Sequence, residues 1–356
     1  MKIGKIILGL LFTSIIGGIF ASVLDVNSLY TVLPLIAMSV VIPMPVGVFG
    51  MAFQKEVWVA DIREQLFSGV FAFIRNSVNH DAFVDNKTVH VPQGGVAATI
   101  EKNLSLLPAV VSQRDDTDLT YDITNYKILP KLITNLEALQ ASYNKRNSIM
   151  LQNIAAVSNR LANETLVAWA AATAGNIIET TGAATSLIAP PSGTSTRLGL
   201  LLADIATAAA KLDEQDVPST GRFLVIPAKM YWNFVTIEKA SLLSIDYSKG
   251  LSDQDMAMGI VAKIYGFNII IRSSAAVYAT GGTTPKAVGA SGATTDRFGA
   301  VGWQQDCVSN ALGAVKAYFE ADSPIFYGDI ISAEVNHGAA KIRTDGYGIV
   351  TIVQPS

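Results

Sequence analysis

The residues of this 356-residue chain that could do chemistry are few and scattered. Asp115, Asp116 and Asp118 set three carboxylates close together, an oxygen-rich run of the kind that takes a hard cation. The plainer reading of that run is the solvated tip of a loop. His80, His90 and His337 stand far apart, with no spacing that would bring two of them to one metal, so each is read as a surface or edge-strand residue. Cys307 is the single cysteine, which excludes an intrachain disulfide and a multi-cysteine zinc site and fits a reducing cytoplasm. Glu64, Glu137, Glu164 and Glu179 show no pairing suited to general acid–base work. Gly281-Gly282 and Gly289-Ala290-Ser291-Gly292 belong to a Gly/Ala/Thr loop, and Lys286 follows Pro285 where a phosphate cradle needs glycine. No dinucleotide fingerprint, paired-histidine zinc motif or nucleophile elbow is present. The reading is a non-enzyme with no catalytic residue, no cofactor-binding residue, no cofactor and no metal. Trp58, Trp169, Trp232 and Trp303 lie in or beside apolar runs and are read as core or subunit-contact residues, ahead of a ligand cage.

Composition points the same way. Half the residues are hydrophobic and 15% are charged, against about a quarter charged in an ordinary soluble domain. Part of that imbalance is N-terminal, and the rest suggests surface that is covered in an assembly. The net charge of -3 and the lack of any long Lys/Arg cluster give no electrostatic reason to propose nucleic-acid binding.

The elements that must carry these residues divide into two parts. From Met1 to about Phe53 the charged residues are Lys2, Lys5 and Asp25. Ile6 to Leu24 is an uncharged run of 19 residues, close to the roughly 20 that a membrane helix needs. A second uncharged run, Tyr30 to Phe53, is interrupted by Pro34, Pro43 and Pro45. With Lys2, Lys5 and Lys55 as flanks, the two runs fit a membrane hairpin with both ends on the cytoplasmic side, better than a cleaved signal peptide.

From Gln54 onward the pattern is mixed α/β. A helix is predicted over Lys55–Phe73, with Val57, Ile62, Leu66, Val70 and Phe73 on one stripe. Lys87–Val96 and Leu119–Ile133 alternate as strands, the second carrying Pro130 and so suited to an edge. With the stretch between them they form a long two-stranded arm that has little apolar surface of its own. Leu136–Ala172 is the longest helical pattern, with Leu139, Tyr143, Leu151, Ile154, Val157, Leu161 and Val167 on its stripe. Helices are predicted over Leu198–Leu212, Ala228–Lys239 and Met256–Ile264, with Gly266 ending the last. Strands are predicted over Gly221–Pro227, Phe267–Arg272, Ala333–His337 and Gly348–Val353.

Several of these stretches resemble the major capsid proteins of tailed bacteriophages, which share the Hong Kong-phage capsid fold with encapsulins. Met51-Ala52-Phe53-Gln54-Lys55-Glu56-Val57-Trp58 is similar to the usual start of such a protein. Lys87-Thr88-Val89-His90-Val91-Pro92 and Asp116-Thr117-Asp118-Leu119-Thr120-Tyr121 resemble the two strands of its extended loop, and Ser142-Tyr143-Asn144-Lys145-Arg146 the approach to its spine helix. Val217-Pro218 with Gly221-Arg222-Phe223-Leu224-Val225-Ile226-Pro227 is similar to its "P…GR-hydrophobic" strand. Gly259 to Phe267 resembles its "GF" turn, and Ala317-Tyr318-Phe319 through Tyr347-Gly348-Ile349-Val350 its C-terminal portion. The pieces span roughly Met51 to Val353 and follow the family's order.

The resemblance implies an α+β phage major capsid fold. Its expected parts are an apolar N-terminal segment 1–53, an N-arm 54–87, an extended loop 88–135 and a peripheral domain 136–193 carrying the spine helix. An axial domain 194–330 follows, with C-terminal strands 331–356 returning to the peripheral domain. It implies a subunit that self-assembles, through hexamers and pentamers, into an icosahedral head. Its partners would be copies of itself, portal and other head proteins, and packaged double-stranded DNA enclosed without sequence-specific binding. The place would be the virion, with assembly in the host bacterial cytoplasm. The residues before Met51 are the departure from the pattern. They are expected to be removed, buried as a clamp in the shell, or inserted in a membrane. The competing readings are an encapsulin-like compartment shell and a membrane-anchored protein with a soluble α/β domain.

Overall fold

The structure is a computed structural model. It describes Ile62, Leu66 and residues 69–355, apart from 86, 94–99, 101, 104–110, 112, 114–115, 135–144, 194, 240–241, 243–254 and 257. The apolar segment 1–53, most of the Lys55–Phe73 helix, the end of the arm and the approach to the longest helix lie outside the described residues. Among the described residues no helix is long and apolar enough to cross a membrane.

A five-stranded sheet is built on a long antiparallel hairpin, β15 (Val308–Ser323) with β16 (Gly328–Lys341). β1 (Val78–Asn79) joins the outer side of β15 in parallel. β5 (Thr124–Lys127) and β6 (Lys131–Thr134) both lie antiparallel to β16. Pro130 falls in the break between them, at the sheet edge where a residue without an N–H is tolerated. Part of the predicted arm therefore belongs to the body of the subunit. Residues 124–134 find their partners in β16, and Ile133 is buried. Only β3 (Thr88–Gln93) and β4 (Thr117–Asp122), paired from Thr88 with Asp122 to Gln93 with Thr117, stand as a two-stranded arm. The short β2 (Val84–Asp85) adds to its base.

The second, seven-stranded sheet runs β11 (Ile260–Ile264), β12 (Phe267–Arg272), β10 (Arg222–Pro227), β14 (Arg297–Gln304), β17 (Ile349–Val353) and β7 (Ile177–Glu179), with β13 (Ala276–Tyr278) on β14. β10 lies between β12 and β14 and is buried along its whole length. Its alternate residues serve two cores, because side chains along a strand point to opposite faces. Phe223 and Val225 join the core under the longest helix, α1 (Lys145–Trp169), which also packs against β16. Leu224 and Ile226 join the core made with α2 (Leu202–Asp213) and α3 (Ala228–Ile237). The remaining pair, β8 (Ala184–Thr185) with β9 (Arg197–Leu198), fixes the loop after α1.

Three expectations are corrected. The predicted helix Met256–Ile264 is largely strand: β11 buries Ile260, Ala262 and Ile264 while Val261 faces out, which is a period of two. Tyr265 (φ 47°) and Gly266 (φ 81°) then form a two-residue turn with both residues left-handed, the geometry that joins β11 to β12 as a hairpin. Gly266 thus closes a hairpin and does not terminate a helix. The buried side of α1 runs Ile154, Ser158, Leu161, Ala162, Thr165, Leu166 and Trp169, while Leu151 is 47% exposed. Ser158 and Thr165 were hidden from an apolar-stripe reading, although Thr165 satisfies its hydroxyl on the Leu161 carbonyl one turn back. α2 starts at Leu202, where the Asp204 carboxylate reaches back to the Leu201 N–H (2.9 Å). β15 pairs with β16, and β17 lies in the sheet of β10.

Candidate assembly surface

Val89 is the buried residue of the arm, while its neighbour His90 faces out and meets the Asp118 carboxylate across the ladder at 3.0 Å, both about half exposed. Two apolar residues beyond the ladder are almost fully bare, Ile100 at 95% and Val111 at 94%. Large apolar side chains are not rare on surfaces, but clustering marks a contact. A second group sits at the turn of the β15–β16 hairpin, where Ile325, Phe326 and Tyr327 are consecutive and exposed. β6 lies beside that turn, with Thr134 opposite Gly328, and adds the exposed Leu132. Trp232 on α3 is 63% exposed, whereas Trp169 and Trp303 are fully buried. These two pack at 5.1 Å between ring centres, and Phe73 and Phe223 complete the aromatic centre of the first core. Trp58 lies outside the described residues.

The carboxylates, histidines and loop lysine singled out in the sequence do not converge. Asp115, Glu64 and Glu137 lie outside the described residues. Glu164 pairs with Arg160 on α1 (2.6 Å) and Glu179 stands 3.7 Å from Arg297. Among the described residues no three His, Cys, Asp or Glu side chains gather as a metal site would require. Cys307 is buried, and desolvation pushes its thiol up to about 11, which disfavours the reactive thiolate. The histidines are the larger correction. His90 is exposed, but His80 and His337 are buried, and His337 lies in β16 between β15 and β5.

What the sequence reading missed is a set of buried charges that tie loops to sheets. Asp296 is 2% exposed and takes both Lys286 (2.9 and 3.0 Å) and the Ser192 hydroxyl (3.0 Å), together with the Ala293 N–H (2.9 Å). Burial pushes its carboxyl up. The bonds from Ala293, Lys286 and Ser192 and the charge of Lys286 more than offset that, and the net shift is downward. Arg197 donates to the Asp296 carbonyl and Arg297 to the carbonyls of Ala279 and Gly282, so the Gly/Ala/Thr loop is pinned at both ends. Arg272 lies between the rings of Phe71 and Phe73 (5.3 and 5.4 Å) and donates to Asn159 and Asn163 of α1. Such groups tie the loops to the sheets and to α1.

No family model and no curated protein matches the chain. Solved structures do. The capsid asymmetric unit of cyanophage Pam1 superposes with a TM-score of 0.55 over 80% of this chain and 92% of its own, at 9% identity. The chain has the fold of phage capsid subunits. The capsid of cyanophage P-SCSP1u gives a TM-score of 0.54 at 15% identity, over 78% of this chain and 86% of that one. The capsid of Ralstonia phage GP4 gives 0.53 at 8%, over 79% and 87%. A capsid fold kept at such low identity rests on the pattern of burial and pairing, since few side chains are common to these chains.

Proposed function

We propose that the chain is the structural subunit of a phage head, and that copies of it close into an icosahedral shell through hexamers and pentamers. The observation that carries the reading is the likeness to three capsid structures, each covered over more than four-fifths of its length. The arm and the exposed Ile325, Phe326 and Tyr327 support it, because a neighbouring copy is what would cover them. In this reading β3 and β4 are the projecting part of the extended loop 88–135, whose residues 124–134 lie on β16, with 136–193 as the peripheral domain and 194–330 as the axial domain. Portal and other head proteins would meet the shell, and double-stranded DNA would be enclosed without sequence-specific contacts. The subunit has a mechanical task and no reaction to catalyse.

Negative-stain microscopy and light scattering of the expressed chain test this. Shells or capsomer-sized rings are expected. A well-folded chain that stays monomeric across pH and salt would refute the proposal. Particles filled with another protein and free of DNA would point instead to a compartment shell. Replacing about Gly94 to Asp116 with a short Gly/Ser turn should leave the circular dichroism of the subunit intact and abolish or weaken the particles.

A further inference from the structure

The turn that carries the chain from β16 into β17 holds the single Asp-Gly step of the sequence, Asp345-Gly346, and there is no Asn-Gly step. Glycine is required at 346. Its φ is 77°, in the left-handed region, and a Cβ there would stand 2.7 Å from the Asn176 amide nitrogen. That nitrogen donates to the Gly346 carbonyl (2.8 Å), which also accepts the Ile349 N–H (3.2 Å). Gln215, just past α2, donates to Asn176 Oδ1 (3.2 Å) and accepts the Gly348 N–H (3.0 Å). Asp345 is exposed, and its Oδ1 accepts the Tyr347 N–H (3.0 Å). The turn thus uses both residues of a step whose chemistry is a liability. With no side chain on the glycine, its backbone nitrogen can reach the carboxyl carbon of the aspartate before it.

Arg343 opposes that chemistry at both ends. Its Nε donates to Asp345 Oδ1 (3.3 Å) and its Nη2 to Oδ2, a two-pronged grip, and its guanidinium lies 4.8 Å from the centre of the Tyr347 ring. Its backbone carbonyl accepts the Gly346 N–H at 3.3 Å. We infer that Asp345-Gly346 is a site of covalent ageing, where aspartate converts to isoaspartate through a succinimide, and that the Arg343 side chain holds this conversion back. The first step is a condensation. The Gly346 nitrogen bonds to Asp345 Cγ, and one carboxyl oxygen leaves as water with the carboxyl proton and the amide proton. Water then adds at the Asp345 backbone carbonyl carbon and breaks its bond to that nitrogen. The main chain now runs through Cβ and Cγ of Asp345 and is longer by a methylene. Loss of water needs the neutral carboxyl. The bond from Arg343 is the largest influence on Asp345 and holds its carboxyl below the ordinary range; burial opposes this, and the Tyr347 N–H and the Arg343 charge reinforce it. The added methylene would carry the Gly346 carbonyl off Asn176 and the Gly348 N–H off Gln215, at the entrance to β17. The site lies within one subunit and stands whether or not copies assemble.

Ageing of the full chain in neutral buffer tests this, with isoaspartate at 345 read by electron-transfer fragmentation of its peptides. The parent should accumulate it at least about ten-fold more slowly than a synthetic peptide spanning Lys341 to Val350, because the folded turn must open first. Arg343→Gln should raise the rate in the full chain about two- to five-fold, the range that an exposed ion pair supports. Arg343→Lys, which keeps the charge and loses the fork, should fall between. Asp345→Glu cannot close the same five-membered ring and should show no such product there. Arg160→Gln, which breaks the exposed pair with Glu164 on α1, should age at 345 like the parent. An Arg343→Gln chain no faster than the parent, a parent as fast as the peptide, or an equal acceleration by Arg160→Gln overturns the inference.

Discussion

Replacing Asp296 with alanine removes a carboxylate that is 2% exposed and leaves three donors facing the space it filled: Lys286, the Ser192 hydroxyl and the Ala293 N–H. Breaking a buried ion pair by deleting one partner typically costs about 3–5 kcal/mol, because the other charge is stranded. Lys286 is 21% exposed and also donates to the Ser291 carbonyl, so it can turn partly toward water. That takes the expectation to the lower end, about 3 kcal/mol. Asp296→Asn keeps the shape and one acceptor but turns an amide toward the ammonium, and should fall between parent and alanine. The assay is urea unfolding followed by tryptophan fluorescence, since Trp303 on β14 reports the adjoining core. The pH dependence has a definite sign. A carboxyl held below its unfolded value contributes stability that is complete above that value and is lost as pH falls through the folded one. The parent should therefore lose this contribution in acid, and the alanine variant should lack that component of the slope. An alanine variant within about 1 kcal/mol of the parent, with an unchanged denaturant dependence, would show that the loop is held by something other than this carboxylate.

Two further outcomes follow from the same kind of reasoning. His337 is pushed from 6.5 to about 4 by burial, so its neutral form is favoured by the fold. The resulting stability, about 3 kcal/mol by linkage, is complete above about pH 6.5 and should drain away between there and about pH 4; His337→Gln should flatten that part of a pH–stability curve, and an unchanged curve would contradict the burial argument. Gly328→Ala places a methyl against the Ile133 carbonyl and the Thr134 backbone of β6, so β6 should detach at a cost of about 2 kcal/mol, seen as new proteolysis between Lys127 and Thr134; a variant as resistant as the parent would mean that the two strands are less close than described.

The sequence was informative where burial and period agree. β10 could be read because Phe223 to Ile226 are apolar in succession and a strand enclosed on both faces needs nothing else. α1 could be read because helical spacing persists over many turns. β11 was misread because Met256, Ile260 and Ile264, spaced by four, satisfy a short helical stripe as readily as Ile260, Ala262 and Ile264 satisfy a strand, and the deciding feature is the left-handed pair Tyr265–Gly266. β14 was passed over because Gly299 and Gly302 dilute its apolar pattern. Those glycines are there for close packing, since a Cβ at Gly299 would run into Tyr278 and Thr351. The candidate assembly surface was visible only in outline. Its arm showed as alternation, but Ile325, Phe326 and Tyr327 look like core residues in a sequence, and exposure is a property of the fold. Asp296, Arg272, His80 and His337 were invisible for the opposite reason, because polar residues are read as surface unless a partner far away in the chain is known.

The placement of β17 sets a timetable for synthesis. The seven-stranded sheet holds β17 between β14 and β7, and the Ala171 N–H at the end of α1 waits for the Thr351 hydroxyl 180 residues later. At ribosomal rates of roughly 5–20 residues per second, that is about 10–35 seconds during which the sheet has a gap in it. A nascent chain can form α1 and α2 early, yet it cannot seal this interior until β17 has emerged. Completion is therefore abrupt and late, as expected for pairings so distant in the chain. A nascent chain that stops short of β17 would therefore lack a strand in the interior of the seven-stranded sheet.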